Sequence, residues 1–259
     1  MFQRTLWTTV VAVAIAVSGA NAAGLEFAIG GWQQSISGTL GYEALSDNDI
    51  IDLEDDMDFD DETRVFGRLK IDMPVFLPNI YLVAAPMDFE GSGSKSTNVK
   101  FGDTVFNGTA DLDADITLNQ YDFALYYGLP FVRTASLGKF NIDLGINVRL
   151  VDFEAKVSGI DQSSGLSASE DQSLSIPVPM LYLAFQLMPT DWLALEVEGR
   201  GLALGDNSLY SIIGRLRYSF AGPVFAAVGY RSDMVDIDED DVEVDVDFSG
   251  PFLELGIKF

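Results

Sequence analysis

The sequence predicts an all-β protein, a transmembrane antiparallel up-and-down β-barrel of ten strands, or of eight if two segments merge. Three observations lead there. Long segments alternate apolar and polar residues with the period of two that a pleated strand imposes. Those segments reach about ten residues or more, beyond the roughly 5–6 of an ordinary soluble strand and close to the ~9–11 that cross a bilayer at a tilt. Beyond residue 22, no apolar run reaches the ~18 residues of a membrane helix; the longest, Ile80 to Met87 and Val178 to Leu187, are short and interrupted.

The chain opens on a different signal. Arg4 supplies a positive start, Leu6 to Val17 an apolar stretch, and Ala20-Asn21-Ala22 the small residues that a signal peptidase reads. Residues 1–22 are therefore expected to be a cleaved export signal, and residues 23–259 the barrel.

Strands are expected near 25–44, 62–74, 79–91, 115–129, 138–157, 172–188, 192–205, 208–221, 223–238 and 243–259. In the second, Val65, Gly67, Leu69, Ile71 and Met73 share one face, and Arg64, Phe66, Arg68, Lys70 and Asp72 the other. In the fifth, Phe140, Ile142, Leu144, Ile146, Val148 and Leu150 oppose Asn141, Asp143, Gly145, Asn147 and Arg149. The eighth sets Tyr210, Ile212, Gly214, Leu216, Tyr218 and Phe220 against Ser211, Ile213, Arg215, Arg217 and Ser219. A helix would need apolar residues three and four apart, which these segments lack. A soluble sandwich also alternates. Strand length and aromatics near segment ends (Trp32, Tyr42, Tyr121, Tyr127, Trp192, Tyr218, Phe259) favour the membrane, where such residues form interfacial girdles. Short turns such as 189–191 and 221–222 alternate with longer polar connections at 45–61, 92–113 and 158–171, the asymmetry of barrels with short periplasmic turns and long outer loops. The short connection at 205–207 breaks that rule.

The terminal Leu253-x-Leu255-x-Ile257-x-Phe259, with the export signal and the alternating strands, resembles Gram-negative outer-membrane β-barrel proteins. The layout is similar to small OmpA-like, Opa-like and OmpW-like barrels and to uncharacterised outer-membrane proteins of this size. The resemblance implies residence in the outer membrane beside phospholipid and lipopolysaccharide. It also implies that the C-terminal strand is read by the barrel-assembly machinery.

With lipid as the solvent for one face, the polar face lines a lumen. Arg64, Arg68, Lys70, Arg149, Arg200, Arg215, Arg217 and Lys258 are expected there, with Asp72, Asp122, Asp143, Glu196, Glu198 and Glu254. A lone buried charge costs several kcal/mol, so an ion-pair network is expected to plug the lumen. A narrow polar pore lined by the same arginines is the functional alternative.

Other acids crowd two stretches, Asp47 to Glu62 and Asp233 to Asp247. The plain reading is a solvated acidic loop in each case. Weak Ca²⁺ or Mg²⁺ binding at Asp55, Asp56, Asp58, Asp60, Asp238, Asp240 and Asp241 is the sharper one, because oxygen-rich clusters suit these ions. The glycine and closing glutamate of an EF-hand loop are missing.

Composition narrows the function. The net charge of −25 repels phosphate backbones, so no nucleic-acid partner is expected. Histidine and cysteine are absent, which excludes a Ser–His–Asp triad, thiolate metal sites and the commonest general base. Omptin-like proteases also have ten strands, but the His–Asp pair they resemble one another in has no counterpart here. No enzyme activity and no cofactor are expected. Two roles remain: a structural, surface-interaction or envelope-integrity barrel, or a narrow channel or conduit for small solutes. The second would show an apolar lining near Phe66, Ile213 and Phe252 and a gap in the wall, for which Pro177, Pro179 and Pro251 are candidates because proline removes ladder donors. Intact mass of the protein recovered from envelopes should correspond to a chain starting at Ala23; retention of residues 1–22 would refute the export reading.

Overall fold

In the computed structural model, residues 24–74, 76–95, 97–107, 111–205, 207–239 and 242–259 are described. The proposed export signal, Asp240 and Asp241 lie outside these residues.

Strand β1 (Leu25–Tyr42) is followed by a short β2 (Ile51–Asp52), then β3 (Glu62–Ile71), β4 (Asn79–Ala85) and β5 (Asp88–Gly93). A small hairpin, β6 (Val99–Phe101) and β7 (Thr104–Phe106), precedes the long β8 (Leu112–Gly128). A six-residue helix, α1 (Pro130–Ala135), leads to β9 (Phe140–Ile160), β10 (Ser167–Thr190), β11 (Leu193–Leu204), β12 (Asn207–Ala221), β13 (Val224–Glu239) and β14 (Val242–Lys258). Each wall strand pairs antiparallel with its neighbour, and β14 returns to pair with β1 from Glu26↔Lys258 to Tyr42↔Val242. The result is a closed ten-strand barrel in which β4 and β5, both paired to β8, make one interrupted stave.

The outer surface is oily where lipid would touch it. Leu144, Ile146, Val148 and Leu150 of β9, Leu195 and Val197 of β11, and Leu253 and Leu255 of β14 are all exposed. Trp192, Tyr218 and Phe220 form an aromatic cluster at one end of this belt, with ring centroids 5.5 and 5.1 Å apart. Two expected girdle residues face the other way. Trp32 is fully buried inside the lumen, and Tyr42 packs on Phe101 at 5.6 Å. Both sit on β1 positions in phase with inward residues of that strand.

Beyond the belt the strands continue and their polarity inverts. On β9 the outward residues become Asp152, Glu154 and Lys156, while Ala155 and Val157 are buried inside. The stretches expected as loops are therefore largely strand. β9 and β10 pair up to Ile160↔Ser167, so only 161–166 connects them. β13 and β14 likewise pair through Asp236↔Asp245 and Asp238↔Glu243. Asp233, expected in an outer acidic loop, is fully buried in the lumen.

The first acidic stretch is folded too. Ile51, Leu53 and Met57 are buried, which pins residues 50–57 to the rim. The β6–β7 hairpin spans from the Tyr42 carbonyl, which accepts from Gly102 N–H at 3.1 Å, to β9, where Asn107 N–H reaches the Ile160 carbonyl at 2.8 Å. Asp49 ties the two together by accepting from the N–H groups of Lys100 (2.9 Å) and Leu45 (3.1 Å). Burial alone would raise its pKa, but these donors hold the carboxyl below its ordinary range.

Mid-lumen, aromatic rings fill space that only glycine leaves open. A Cβ on Gly229 would come within 2.3 Å of the Phe252 ring and of the Gly214 carbonyl. Phe252 in turn meets Phe66 edge-on, with centroids 5.5 Å apart. Gly229→Val is expected to destabilise the folded barrel by about 1–3 kcal/mol through overpacking, read as a lower urea midpoint of the heat-modifiable gel band. An unchanged midpoint would contradict this packing.

Candidate functional site

Strand periodicity sorts the lumen into two zones. Inward positions on the lower half of each strand carry charge, and inward positions on the upper half carry oil.

The lower zone contains two tiers of ion pairs. In the tier nearer the chain termini, Arg68 bridges Glu26 (2.5 Å) and Glu254 (2.8 Å). Arg217 joins Glu26 (3.2 Å) to Glu196 (2.9 Å), and Arg215 joins Glu196 (3.2 Å) to Glu198 (2.6 Å). Lys70 also reaches Glu198 at 2.9 Å, and the Tyr81 hydroxyl donates to it at 3.0 Å. In the tier above, Arg149 grips Asp122 with two hydrogen bonds of 2.9 and 3.0 Å. Arg231 pairs with Asp233 at 2.7 Å, donates to Gln120 Oε1 at 2.8 Å, and lies 4.5 Å over the Trp32 ring. Arg200 is held between Tyr81 and Tyr182 at 5.1 and 5.3 Å from their centroids. Apart from Lys70, every one of these charged side chains is below 10% exposed.

Of the fourteen lumen residues expected from sequence, three stand apart from this network and a fourth, Lys258, joins it only at the mouth. Arg64 is at the rim, 35% exposed, near Glu62 (3.6 Å) and Asp88 (3.4 Å), because β3 and β4 pair only over Gly67–Ile71 and the wall opens above. Asp72 follows the end of β3, is exposed, and among the described residues has no basic partner within 4 Å. Asp143 accepts from Asn141 Nδ2 at 2.7 Å rather than from a cation. Lys258 is half exposed at the mouth, 3.2 Å from Glu26. Glu26, Gln120, Arg231 and Asp233 were not among the expected residues, although they share a face with inward neighbours. On β13, for example, Phe225, Ala227, Arg231 and Asp233 are all buried and in phase.

Of the seven expected divalent ligands, Asp240 and Asp241 lie outside the described residues and the other five are spread apart. Among the described residues no three carboxylates gather to hold a metal ion. Asp55 and Asp56 follow Asp52 in a tight turn, with Asp52 Oδ1 accepting from the Glu54 and Asp55 N–H groups at 2.9 Å and Asp56 paired to Lys95 at 2.9 Å. Asp58 and Asp60 are exposed, and Asp238 lies on β13.

The upper zone is a chamber of about 600 Å³. Leu118, Val151, Leu202, Leu209, Val235, Val246 and Phe248 are among its walls. By contrast, the space at Phe66, Ile213 and Phe252, where an apolar lining was expected, holds only about 10 Å³, because Arg68, Arg215 and Arg231 fill it.

One side of the chamber is thinly walled. The β10–β11 ladder ends at Leu181↔Gly201, although β11 continues to Leu204 and β10 extends far above it. Pro177 and Pro179 lie just past that end, and both line the chamber. The β9–β10 ladder runs through Pro177↔Leu150 and Pro179↔Val148 without a break. Their nitrogens therefore face β11, where no N–H is available to continue the pairing. Leu204 at this edge is 73% exposed.

At the other end of the chain, Leu253, Leu255 and Phe259 are exposed on the outer face of β14, and Phe259 N–H closes the barrel on the Leu25 carbonyl at 2.8 Å.

No family model and no curated protein matches this sequence. Among solved structures, the chain is similar to the outer membrane protease OmpT of Escherichia coli at 11% identity, with a TM-score of 0.51 over 93% of this chain and 99% of that one. It is also similar to the translocator domain of the autotransporter NalP from Neisseria meningitidis at 11% identity, with a TM-score of 0.46 over 99% and 95%. Ail, the attachment invasion locus protein of Yersinia pestis, aligns at 9% identity and a TM-score of 0.37 over 92% and 100%. The likeness to OmpT is one of fold. A sheet closed on itself, with oil on its outer surface and ion pairs at its centre, is built to have lipid as its solvent: the chain has the fold of an outer-membrane β-barrel.

Proposed function

We propose that this protein binds a small apolar solute in its outer chamber and does not conduct ions. The observation that carries this reading is an apolar cavity of about 600 Å³ directly above a floor of paired charges. That volume lies within the range of ordinary ligand pockets, about 300–1,000 Å³. The floor supports a closed lumen, since a permeating ion would have to displace arginine–carboxylate pairs as short as 2.5 Å. The thin wall at Pro177 and Pro179 supports access from the side as well as from the top. The role is non-enzymatic: histidine and cysteine are absent, and the lumenal carboxylates are engaged by arginine. On β14, the outward row Leu253, Leu255, Ile257 and Phe259 is suited to recognition by the barrel-assembly machinery. A second reading, contact of the acidic rim with lipopolysaccharide or another surface partner, is favoured by outward pairs of like charge such as Asp236↔Asp245.

Two tests follow. Refolded protein in a planar bilayer should be silent, while Arg215→Ala/Arg217→Ala should show conductance; steady channels in the wild type would overturn the closed floor. Arg215→Met alone should lower stability by about 3–5 kcal/mol in urea, because it strands buried carboxylates. N-phenyl-1-naphthylamine should bind the wild type, and Leu202→Trp/Val244→Trp, which fills the chamber, should weaken binding roughly tenfold, equivalent to about 1.4 kcal/mol. Equal binding in both would sink the chamber reading.

A further inference from the structure

The chamber floor holds buried polar atoms without hydrogen-bond partners, more of them donors than acceptors, the acceptors being Asp233 Oδ1 and Asn147 Oδ1. On four strands, the inward residue that lines the chamber sits two positions from a polar residue of the upper ionic tier. Val151 stands over Arg149, Leu202 over Arg200, Leu209 over Ser211, and Val235 over Asp233, and Gln120 itself lines the cavity. Each of these polar residues is at most 3% exposed. Within this tier Gln120 Nε2, Arg200 Nε, Arg200 Nη1 and Ser211 Oγ have no hydrogen-bond partner. Arg149 Nη1 and Asp233 Oδ1 are also without one, standing 3.6 Å apart. The Gln120 amide is oriented by Arg231, which occupies its Oε1 and leaves only the NH₂ group unspent.

The charges in this tier do not balance either. Arg149, Arg200 and Arg231 face two carboxylates of their own tier, Asp122 and Asp233, and Arg200 also reaches Glu198 of the tier below at 3.4 Å. Below them, Arg68, Lys70, Arg215 and Arg217 meet four, Glu26, Glu196, Glu198 and Glu254. Across the two linked tiers seven buried cations meet six buried carboxylates, and Lys258 at the mouth adds a further cation on Glu26, so the interior as a whole carries excess positive charge. An unpaired buried donor costs about as much as a lost hydrogen bond, and an unpaired buried charge costs more. An acceptor carrying one negative charge answers both deficits.

We infer that the chamber's ligand is an aliphatic monocarboxylate, bound head-down, with its carboxylate on Gln120 Nε2 above the Arg149–Arg231 tier and its chain among the aliphatic walls. This rests on the apolar-chamber reading and adds the chemistry of the ligand's polar end.

The test uses the full-length mature barrel in lipid nanodiscs, titrated with decanoate and with decane, and read by the fluorescence of Trp32, which stacks under Arg231. Trp7 is removed with the export signal, and Trp192→Phe leaves Trp32 as the reporter. Decanoate should bind at least roughly tenfold more tightly than decane, the weight of one hydrogen bond to a charged group. Gln120→Leu should erase that preference while leaving decane binding unchanged. Decane and decanoate binding equally in the wild type would overturn the anchor and leave the chamber reading intact. Binding of neither would overturn the chamber reading itself. If Gln120→Leu fails to fold by heat-modifiable mobility, the wild-type comparison at pH 7 still decides the matter, and Ser211→Ala provides the second variant, expected to weaken decanoate alone.

Discussion

In hydrocarbon, no water is available to satisfy a backbone N–H or C=O, so a sheet that spans it must leave no edge. The β1–β14 ladder meets that requirement, running from Glu26↔Lys258 to Tyr42↔Val242 and closing the wall on itself. Closure has a second consequence. It creates an inside that lipid cannot reach, and in a barrel of this size that inside is narrow. Charged side chains pointing inward have no bulk solvent to rely on and must neutralise one another. The two tiers of Arg–Glu and Arg–Asp pairs follow from closure as directly as the oily belt does.

The same geometry explains the division between plug and chamber. Within the belt, oil belongs outside and charge inside. Past the belt the outer face meets water or headgroups, and the pattern reverses. On β14, Glu254 points in between outward Leu253 and Leu255, whereas higher up Val244, Val246 and Phe248 point in and Asp245 and Asp247 point out. The barrel continues as an ordinary water-exposed barrel with a hydrophobic interior, stacked on a membrane barrel with a polar one. The junction between them is the floor of the chamber. Burial and repulsion from Asp245 raise the Asp247 pKa on that outer collar, a sign of how densely the reversed face carries acid.

The belt was legible in the sequence, because period-two alternation in β3, β9 and β12 excludes helices and its length favours a membrane strand over a soluble sandwich. The ten staves and most of the lower tier followed from it. The upper barrel was harder to see for a physical reason. Where polarity reverses, the phase of the alternation slips, so adjacent Leu150 and Val151 are both apolar and both correctly placed, one outward and one inward. Read as a strand nearing its end, that slip turns the continuation of β9 and β10 into a loop and moves Asp233 out of the lumen. Trp32 shows the converse: an aromatic near a strand end has an interfacial meaning only if its phase is outward, and its neighbours Ala28 and Gln34 are buried. The β6–β7 hairpin and the tether at Asp49 depend on contacts between distant loops, which no local pattern encodes.

An opening in a lipid-facing wall should be costly, since it exposes the ladder groups that closure protects. The seam beside β11 shows how that cost is limited. Prolines at 177 and 179 supply no N–H, so the β10 edge facing the seam presents carbonyl groups without donors across the span where pairing has stopped. Leu181, immediately below, resumes the ladder with Gly201. β11 ends at Leu204 and β12 begins at Asn207, so the facing strand pair stops while β10 continues upward in its ladder with β9. An unfinished ladder elsewhere in the belt would be an aggregation edge. Here the residues that end it also line the cavity behind it, which ties the break in the wall to the space inside.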